Sequence, residues 1–242
     1  MDRLVEEARA KELLYFHSKG VWTKVPKSSA RARTGRGPIS VRWVDVNQGD
    51  DQNPNYRSRL VARQLKAHNH IGETYFASVP PLEALGTVLS LAMTRVGAHQ
   101  PIWDPDSPNR SQLSFIDIKR AYFNAKIDES DAPTFVSLPE EGPDNANMCG
   151  WLLCHMYSTR GAADSWQEEY STALIELGFG QGISCPNVFH HVEKKIRCSV
   201  HGDDFTSEGG KLALDLFEQA VAANYEITIS PRLGPGPDDG KE

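Results

Sequence analysis

The chain has 242 residues, of which 39% are hydrophobic and 24% charged, so it is long enough for one large domain or two small ones. It contains no apolar run of the roughly 18 residues that a membrane-spanning helix needs. Its charged N-terminus lacks the pattern of a secretory signal peptide, and its four cysteines are therefore expected to be reduced. These features favour an intracellular protein, of the cytoplasm or the nucleus, with no membrane partner.

Charge is distributed unevenly along the chain, although the net charge is only −6. Residues 1–70 carry 14 Lys and Arg against 7 Asp and Glu, which gives +7. Residues 71–242 carry 12 against 25, which gives −13. Such asymmetry indicates either two solvated surfaces that differ in charge, or a basic lobe that faces phosphates beside an acidic lobe that collects metal ions.

The first part of the chain is predicted to form a helix followed by strands. Residues 2–16 have the periodicity of an amphipathic helix, and residues 21–46 alternate loosely enough for two strands. Between these strands, residues 27–37 are basic and Gly-rich, which predicts a mobile loop. Residues 57–63 predict a strand, because side chains of alternate residues share a face. That face carries three arginines, Arg57, Arg59 and Arg63.

The rest of the chain alternates between strands and helices. Pro80-Pro81 opens a predicted helix that ends before Gly97, and a polar loop over residues 98–111 contains the predicted lobe boundary near residue 110. The elements predicted after it are a strand over 113–118, a helix over 161–177, strands over 187–192 and 196–200, a tight turn over 201–204 and a helix near 212–221. This order predicts an α+β fold.

Three acidic residues mark the candidate chemistry. Asp117 closes an otherwise apolar strand, which is costly unless the acid is solvated, paired or bound to a metal. Asp203 and Asp204 lie at the tip of the predicted hairpin, and carboxylates on two neighbouring strands can hold a pair of Mg²⁺ ions for phosphoryl transfer. Simpler interpretations stay open, because Gly-Asp-Asp is also a common exposed turn and Asp117 could cap a helix that starts at Lys119.

Two segments around these acids resemble the palm motifs of copia-type reverse transcriptases, the RNA-directed DNA polymerases of LTR retrotransposons. The segment from Phe115 to Asn124 ends an apolar strand with an acid and has an aromatic residue five positions later. The segment from Ser199 to Phe205 carries the paired acids. Further segments resemble the family in the same order, so that the likeness covers most of residues 20–208: Trp22–Pro26, Val41–Val44, Arg57–Arg63, Met156–Trp166 and Gly178–Phe189.

The resemblance implies the fold of a right-hand polymerase. Residues 21–110 would form the fingers, and residues 111–230 a palm whose antiparallel sheet packs on helices. Residues 1–20 would form an N-terminal helix, and residues 231–242 a flexible tail near the start of the primer-grip region. The thumb and the connection and RNase H regions would lie outside this sequence.

The resemblance also implies an activity, which is the transfer of a nucleotide from a dNTP to a primer on an RNA or DNA template. Asp117, Asp203 and Asp204 would be the catalytic residues and would bind two Mg²⁺ ions, for which Mn²⁺ could substitute. The template with its primer, the dNTPs and other parts of a Pol polyprotein would be the partners.

Five further residues would bind the substrates if the resemblance holds. Tyr122 would exclude a 2′-hydroxyl from the nucleotide site, and packing of its ring is the simpler alternative. Arg59 and Arg63 would reach the triphosphate or the template backbone, because the planar guanidinium binds phosphate oxygens in pairs, although a solvated basic face would look the same in sequence. Lys119 and Arg120 would add phosphate contacts.

The sequence departs from the family pattern at three positions. His201 stands where relatives have an aromatic residue, and this change is expected to alter packing near the primer end. Gly161 and Ala163 stand where relatives have Gln and Pro, and the Gln helps to position the nucleotide there. Nucleotide binding is therefore the step that these departures affect most directly.

Two other functions stay open from the residues alone. A two-metal nuclease or integrase-like enzyme also places acids at strand ends, and usually adds one from a helix, for which Glu168 and Glu169 are available. A catalytically inert retroelement remnant would still bind nucleic acid through its basic first third. The cysteines and histidines match no zinc-binding spacing and are expected in the apolar core and in hairpins.

Overall fold

The computed structural model describes residues 3–63, 79–93, 109–128, 131–141, 145–159, 161–236 and 239–240. The chain divides into two compact units, each assembled from two segments. Unit 1 comprises Met1–Phe76 and Tyr122–Trp166, and unit 2 comprises Ala77–Ala121 and Gln167–Glu242. The predicted lobes are continuous stretches, so the units do not coincide with them, and the assignment of fingers and palm stays a prediction.

The described chain combines helices with antiparallel sheets, which is compatible with the predicted α+β class. In chain order they are α1 (Arg3–Ser18), β1 (Trp22–Pro26), α2 (Lys27–Thr34), β2 (Val41–Asn47), β3 (Tyr56–Ala62), α3 (Leu82–Met93), β4 (Ser111–Ile118), β5 (Phe135–Ser137), β6 (Met148–Leu152), α4 (Ala162–Glu176), β7 (Gly180–Gln181), β8 (Val188–His191), β9 (Ile196–His201), β10 (Asp204–Gly210), α5 (Lys211–Asn224) and β11 (Ile227–Ile229). All strand pairs are antiparallel. None of the helices in the described ranges is long and apolar enough to cross a membrane.

Unit 1 has a three-stranded sheet in the order β1-β6-β5 and a separate β2-β3 pair. Helix α1 contributes Phe16 to the core, where its ring centre lies 4.6 Å from those of both Trp22 and Phe123. The predicted alternation of β3 is confirmed on its inner face, because Leu60 and Ala62 are buried in this core.

The prediction of a mobile loop over residues 27–37 is wrong for the first eight residues, which form α2. Pro26 precedes the helix, and the only glycines lie at its end, where Gly35 takes the left-handed φ of 69°. Ala30 is fully buried and packs with Phe135 and Cys149 of the sheet. Burial of Ala30 thus holds α2 against the sheet, although the rest of the helix sequence is largely polar.

Unit 2 is built on a six-stranded sheet in the order β11-β4-β10-β9-β8-β7. The predicted hairpin is confirmed, since β9 and β10 pair across the turn at residues 201–204. One face of the sheet packs on α4 and α5: the Tyr170 ring centre lies 5.7 Å from that of Phe205, and Ser114 Oγ donates to Glu218 of α5 at 2.6 Å. All four cysteines of the chain are free.

Two of the predicted helices bury only part of their apolar residues. In α1, Val5, Ala8 and Phe16 are buried, as an amphipathic helix requires, whereas Leu4 is exposed. In α3, the buried residues are Val88 and Ala92, whereas Leu82 is 83% exposed. The predicted continuation of this helix to Val96 and Gly97 lies outside the described residues.

The segment predicted as a flexible tail is held against unit 2 where the structure describes it. Leu233 exchanges backbone hydrogen bonds with Leu113 at 2.8 and 3.1 Å. Arg232 forms ion pairs with Asp215 and Glu218 of α5 at 2.8 and 2.7 Å. Its glycines and prolines explain the lack of a helix or a long strand, but they do not prevent these contacts.

Asp239 anchors this segment. Its carboxylate accepts two hydrogen bonds from Arg110 at 2.7 Å, one from the Gly236 backbone at 2.8 Å and another from Gln112. The side chain is 5% exposed, and that of Arg110 is 13% exposed. Hydrogen bonds from Arg110 lower the pKa of Asp239 from 3.8 to about 2, even though burial opposes the shift.

We expect Asp239→Asn to lower the free energy of unfolding by about 2–4 kcal/mol at pH 7, because it leaves the Arg110 charge buried without its partner. Since the folded pKa of Asp239 is depressed, its contribution is fully present above about pH 4 and is lost as pH falls towards 2. Urea denaturation of both proteins between pH 7 and 3 measures this. Glu7→Gln, in an exposed ion pair with Arg3, is the control and should cost under about 1 kcal/mol. A difference that stays constant down to pH 3 would contradict the assignment.

Candidate active site

Two of the three predicted catalytic acids lie side by side at one end of the sheet in unit 2. Asp204 is the first residue of β10, and it pairs directly with Asp117, the penultimate residue of β4. Side chains of directly opposed residues point to the same face of a sheet, about 5 Å apart at their Cβ atoms. Both residues are exposed, so the two carboxylates share an accessible surface.

The third acid, Asp203, lies on the turn that joins β9 to β10. His201 and Asp204 pair across a two-residue loop, and the first loop residue, Gly202, has a φ of 65°. Glycine adopts this left-handed conformation without strain, and it is the residue that hairpin turns of this length favour there. The Asp203 carbonyl accepts a hydrogen bond of 2.8 Å from the Ile118 amide, which ties the turn to the end of β4.

The electrostatics of this surface favour a bound cation. The pKa of Asp204 is raised above its usual 3.8, first by partial burial and then by the charges of Asp203 and Asp117, while His201 opposes the shift. A divalent cation would offset the repulsion among these carboxylates, and oxygen ligands of this type suit Mg²⁺. Across the ranges that the structure covers, however, no group of three or more His, Cys, Asp or Glu side chains is arranged to hold a metal ion. Asp117 and Asp204 thus form a carboxylate pair. Asp203 lies on the adjoining turn, but the three acids are not arranged as a metal-binding group.

A recess of about 430 Å³ adjoins the acids. Asp117, Asp204 and His201 line it, and apolar residues form most of the remaining lining, including Phe115 and Leu85 of α3. The recess is wide enough for a sugar or a base and lies entirely within unit 2.

Lys119 and Arg120 follow β4 directly. Lys119 Nζ lies 3.0 Å from Glu226 Oε1, and its backbone amide donates to the Glu226 carbonyl at 2.9 Å. Arg120 is half-buried and has a positive φ of 49°, so the chain turns sharply here. Glu226 was not predicted from sequence. Its carboxylate pairs with the Lys119 ammonium, so a phosphate that binds at Lys119 would have to break this ion pair.

The other predicted substrate residues lie in unit 1. The guanidinium of Arg59 is 5.4 Å from the ring centre of Tyr157, and its buried Nε has no hydrogen-bond partner among the described residues. Arg57 and Arg63 are exposed, and Arg63 lies one residue beyond the end of β3. Tyr122 lies in a 3-10 turn, Ala121–Asn124, and packs edge-on against Tyr157 with ring centres 5.7 Å apart.

Tyr157 therefore brings Arg59 and Tyr122 together, although sequence reasoning gave it no role. The feature of the sequence that could have indicated a role for Tyr157 is its position at the start of the segment Met156–Trp166, which resembles the polymerase family. Of the departures from that family, Gly161 has a φ of 71° and Ala163 is exposed at the start of α4, whereas His201 is exposed and pairs with Asp204.

Neither a scan against protein-family models nor a search of the curated proteins finds a match for this chain.

Proposed function

We propose that the chain is the RNA-directed DNA polymerase region of a copia-type retrotransposon. The observation that carries the proposal is the direct cross-strand pairing of Asp117 with Asp204, beside a Gly-Asp-Asp turn. Sequence alone leaves open that these acids are separate turn and capping residues. The pairing instead puts two carboxylates on one exposed surface, as a nucleotidyltransferase requires.

In the proposed reaction, the 3′-hydroxyl of a primer attacks the α-phosphorus of a dNTP. The new bond is a phosphodiester, the bond to the β-phosphate breaks, pyrophosphate leaves, and the hydroxyl proton passes to water. Asp117 and Asp204 would bind Mg²⁺, with Asp203 as the third acid. When bound, the metal ions lower the pKa of the attacking hydroxyl and offset charge on the leaving oxygen.

The recess fits the primer end or the incoming nucleotide, because its largely apolar lining suits a flat base or a sugar and because Asp117 and Asp204 are part of that lining. Template, primer, dNTPs and other parts of a Pol polyprotein are the proposed partners. Arg59, Arg63, Lys119 and Arg120 are the proposed phosphate contacts, and the pairing of Lys119 with Glu226 makes Lys119 the weakest of the four.

A second candidate is a two-metal nuclease, because the same acid pair could activate a water molecule. The helix acids available to it are Glu168 and Glu169, and Glu169 receives a hydrogen bond of 3.4 Å from Tyr225. This contact engages Glu169 within unit 2 and favours the polymerase assignment.

The product of a single turnover separates the candidates. A 5′-labelled DNA primer annealed to RNA, with Mg²⁺ and the next dNTP, should become one nucleotide longer. Shortened primer would indicate the nuclease, and unchanged primer despite bound template would indicate an inert remnant. Either of these results, obtained with protein shown to be folded, would overturn the polymerase proposal.

Tyr122→Ala should admit ribonucleotides if Tyr122 is the sugar gate. We expect the ratio of incorporation efficiencies, rNTP over dNTP, to rise by about 10- to 100-fold. Tyr56→Ala, at the half-exposed start of β3, is the matched control and should leave the ratio unchanged. An unchanged ratio in Tyr122→Ala would assign its ring to packing against Tyr157 alone.

A further inference from the structure

The exposed face of α2 is a basic surface that the polymerase assignment leaves unused. Between Glu12 and Asp45 the sequence has seven Lys and Arg and no Asp or Glu. Four of the seven lie in or beside α2: Lys27, Arg31, Arg33 and Arg36. A surface with this many cations and no acid within the same stretch indicates a polyanionic partner.

Helix stability does not account for these charges. Arg31 and Arg33 lie in the last turn, where cations interact favourably with the helix dipole by about 0.3–1 kcal/mol. Lys27 is the first helical residue, where a cation is unfavourable for the helix dipole, and its ammonium donates to the Ala146 carbonyl at 2.6 Å. Arg36 lies beyond the capping Gly35. The side chains of Arg31 and Arg36 are exposed and have no ion-pair partner among the described residues.

Arg33 is held in a defined position on the same helix. Its guanidinium lies over the Trp151 ring at 4.5 Å from the ring centre, and Trp151 in turn stacks on Phe135 at 6.2 Å. An arginine on an aromatic face loses little entropy on binding, and its in-plane donors stay available for phosphate oxygens. Ala30, three residues before Arg33 and therefore next to it on the helix surface, is buried against the same sheet and seats the helix there.

We propose that α2 binds the sugar–phosphate backbone of a nucleic acid through Arg31, Arg33 and Arg36. The partner is a nucleic acid rather than a membrane, because the exposed residues of α2 are Lys, Ser, Ala, Thr and Arg and none is a large apolar residue that could enter a lipid layer. The site lies entirely within unit 1, and binding there needs neither a metal ion nor the three acids of unit 2. It therefore goes beyond the proposed polymerase chemistry and survives if that chemistry fails.

The test is binding of a fluorescein-labelled 20-nucleotide RNA, measured by anisotropy in EDTA without nucleotides. We expect Arg31→Gln with Arg36→Gln to weaken binding about tenfold at 150 mM salt. We also expect it to reduce the slope of log K against log salt by about 1.5, since each lost phosphate contact removes about 0.7 for a single strand. The matched control is Lys11→Gln with Lys194→Gln, which removes the same charge from exposed positions on α1 and the β8–β9 turn. It should weaken binding by no more than about twofold and leave the salt slope unchanged.

Circular dichroism melts show whether both double variants are folded. Equal losses in the two double variants would mean that only net charge matters, and would overturn the proposal. Binding of poly-L-glutamate or of phosphatidylserine vesicles as tight as that of RNA would also overturn it. Loss of RNA binding in the α2 variant alone supports it, whether or not the protein extends a primer.

Discussion

Asp117→Asn should abolish nucleotide incorporation, slowing it by about a thousandfold or more, which corresponds to about 4 kcal/mol of activation free energy. Asn keeps the size and shape of the side chain but removes the negative charge of one member of the pair that β4 and β10 place together. Single-turnover primer extension with one dNTP measures the loss. Because Asp117 is exposed, its neutralisation should leave the melting temperature within a few degrees of the wild type.

Template binding separates a catalytic defect from a general one. Anisotropy with labelled primer–template should give the same affinity for Asp117→Asn as for the wild type. Asp131→Asn, an exposed acid of unit 1, is the matched control and should extend the primer normally. Full activity in Asp117→Asn would remove this residue from the site, and equal losses in both variants would show that the effect is not specific to the acid pair.

Phe205→Ala should cost about 3–5 kcal/mol of unfolding free energy, because it empties a large, fully packed volume. Phe205 is 1% exposed, and its ring centre lies 5.7 Å from that of Tyr170 on α4. It follows Asp204 in β10, so the same side chain that fixes the strand on the helix also fixes the acid at the turn. We therefore expect lower activity as well, even at temperatures where the variant is folded.

Urea denaturation gives the size of this effect, and two further variants give its cause. Leu212→Ala on α5, where the side chain is 57% exposed, should change stability by less than about 0.5 kcal/mol. Phe205→Leu should cost less unfolding free energy than Phe205→Ala and more than Leu212→Ala, because leucine retains part of the buried volume. A cost below about 1 kcal/mol for Phe205→Ala would contradict the packing of α4 on this part of the sheet.

The elements around the acids were predictable because their signals are local. Gly202 marks a tight turn, apolar runs flank it, and α4 repeats its apolar residues every three or four positions, so the hairpin and the long helix are confirmed close to their predicted bounds. Sequence could place Asp117 at a strand end. It could not show that β4 and β10 are neighbours, because the register of Asp117 with Asp204 depends on pairing between segments almost ninety residues apart.

The features that the sequence did not predict share a different cause, because tertiary contacts there override the local sequence signal. The composition of residues 27–37 is typical of a loop, yet the burial of Ala30 against Phe135 makes a helix of its first part. The Gly- and Pro-rich segment after residue 231 lacks periodic structure as predicted, but Arg232 and Asp239 bind it to unit 2. Tyr157 likewise gains its role only from Arg59 and Tyr122, which pack on it in the fold.

The decisive experiment is primer extension on an RNA template, with Mg²⁺ and dNTPs, that compares the wild type with the Asp203→Asn, Asp204→Asn double variant. We expect the wild type to lengthen the primer and the double variant to bind the same template without lengthening it. Equal extension by both proteins would contradict the assignment of the Gly-Asp-Asp turn as the catalytic centre. Folded wild-type protein that binds primer–template but leaves the primer unchanged would contradict the polymerase function itself.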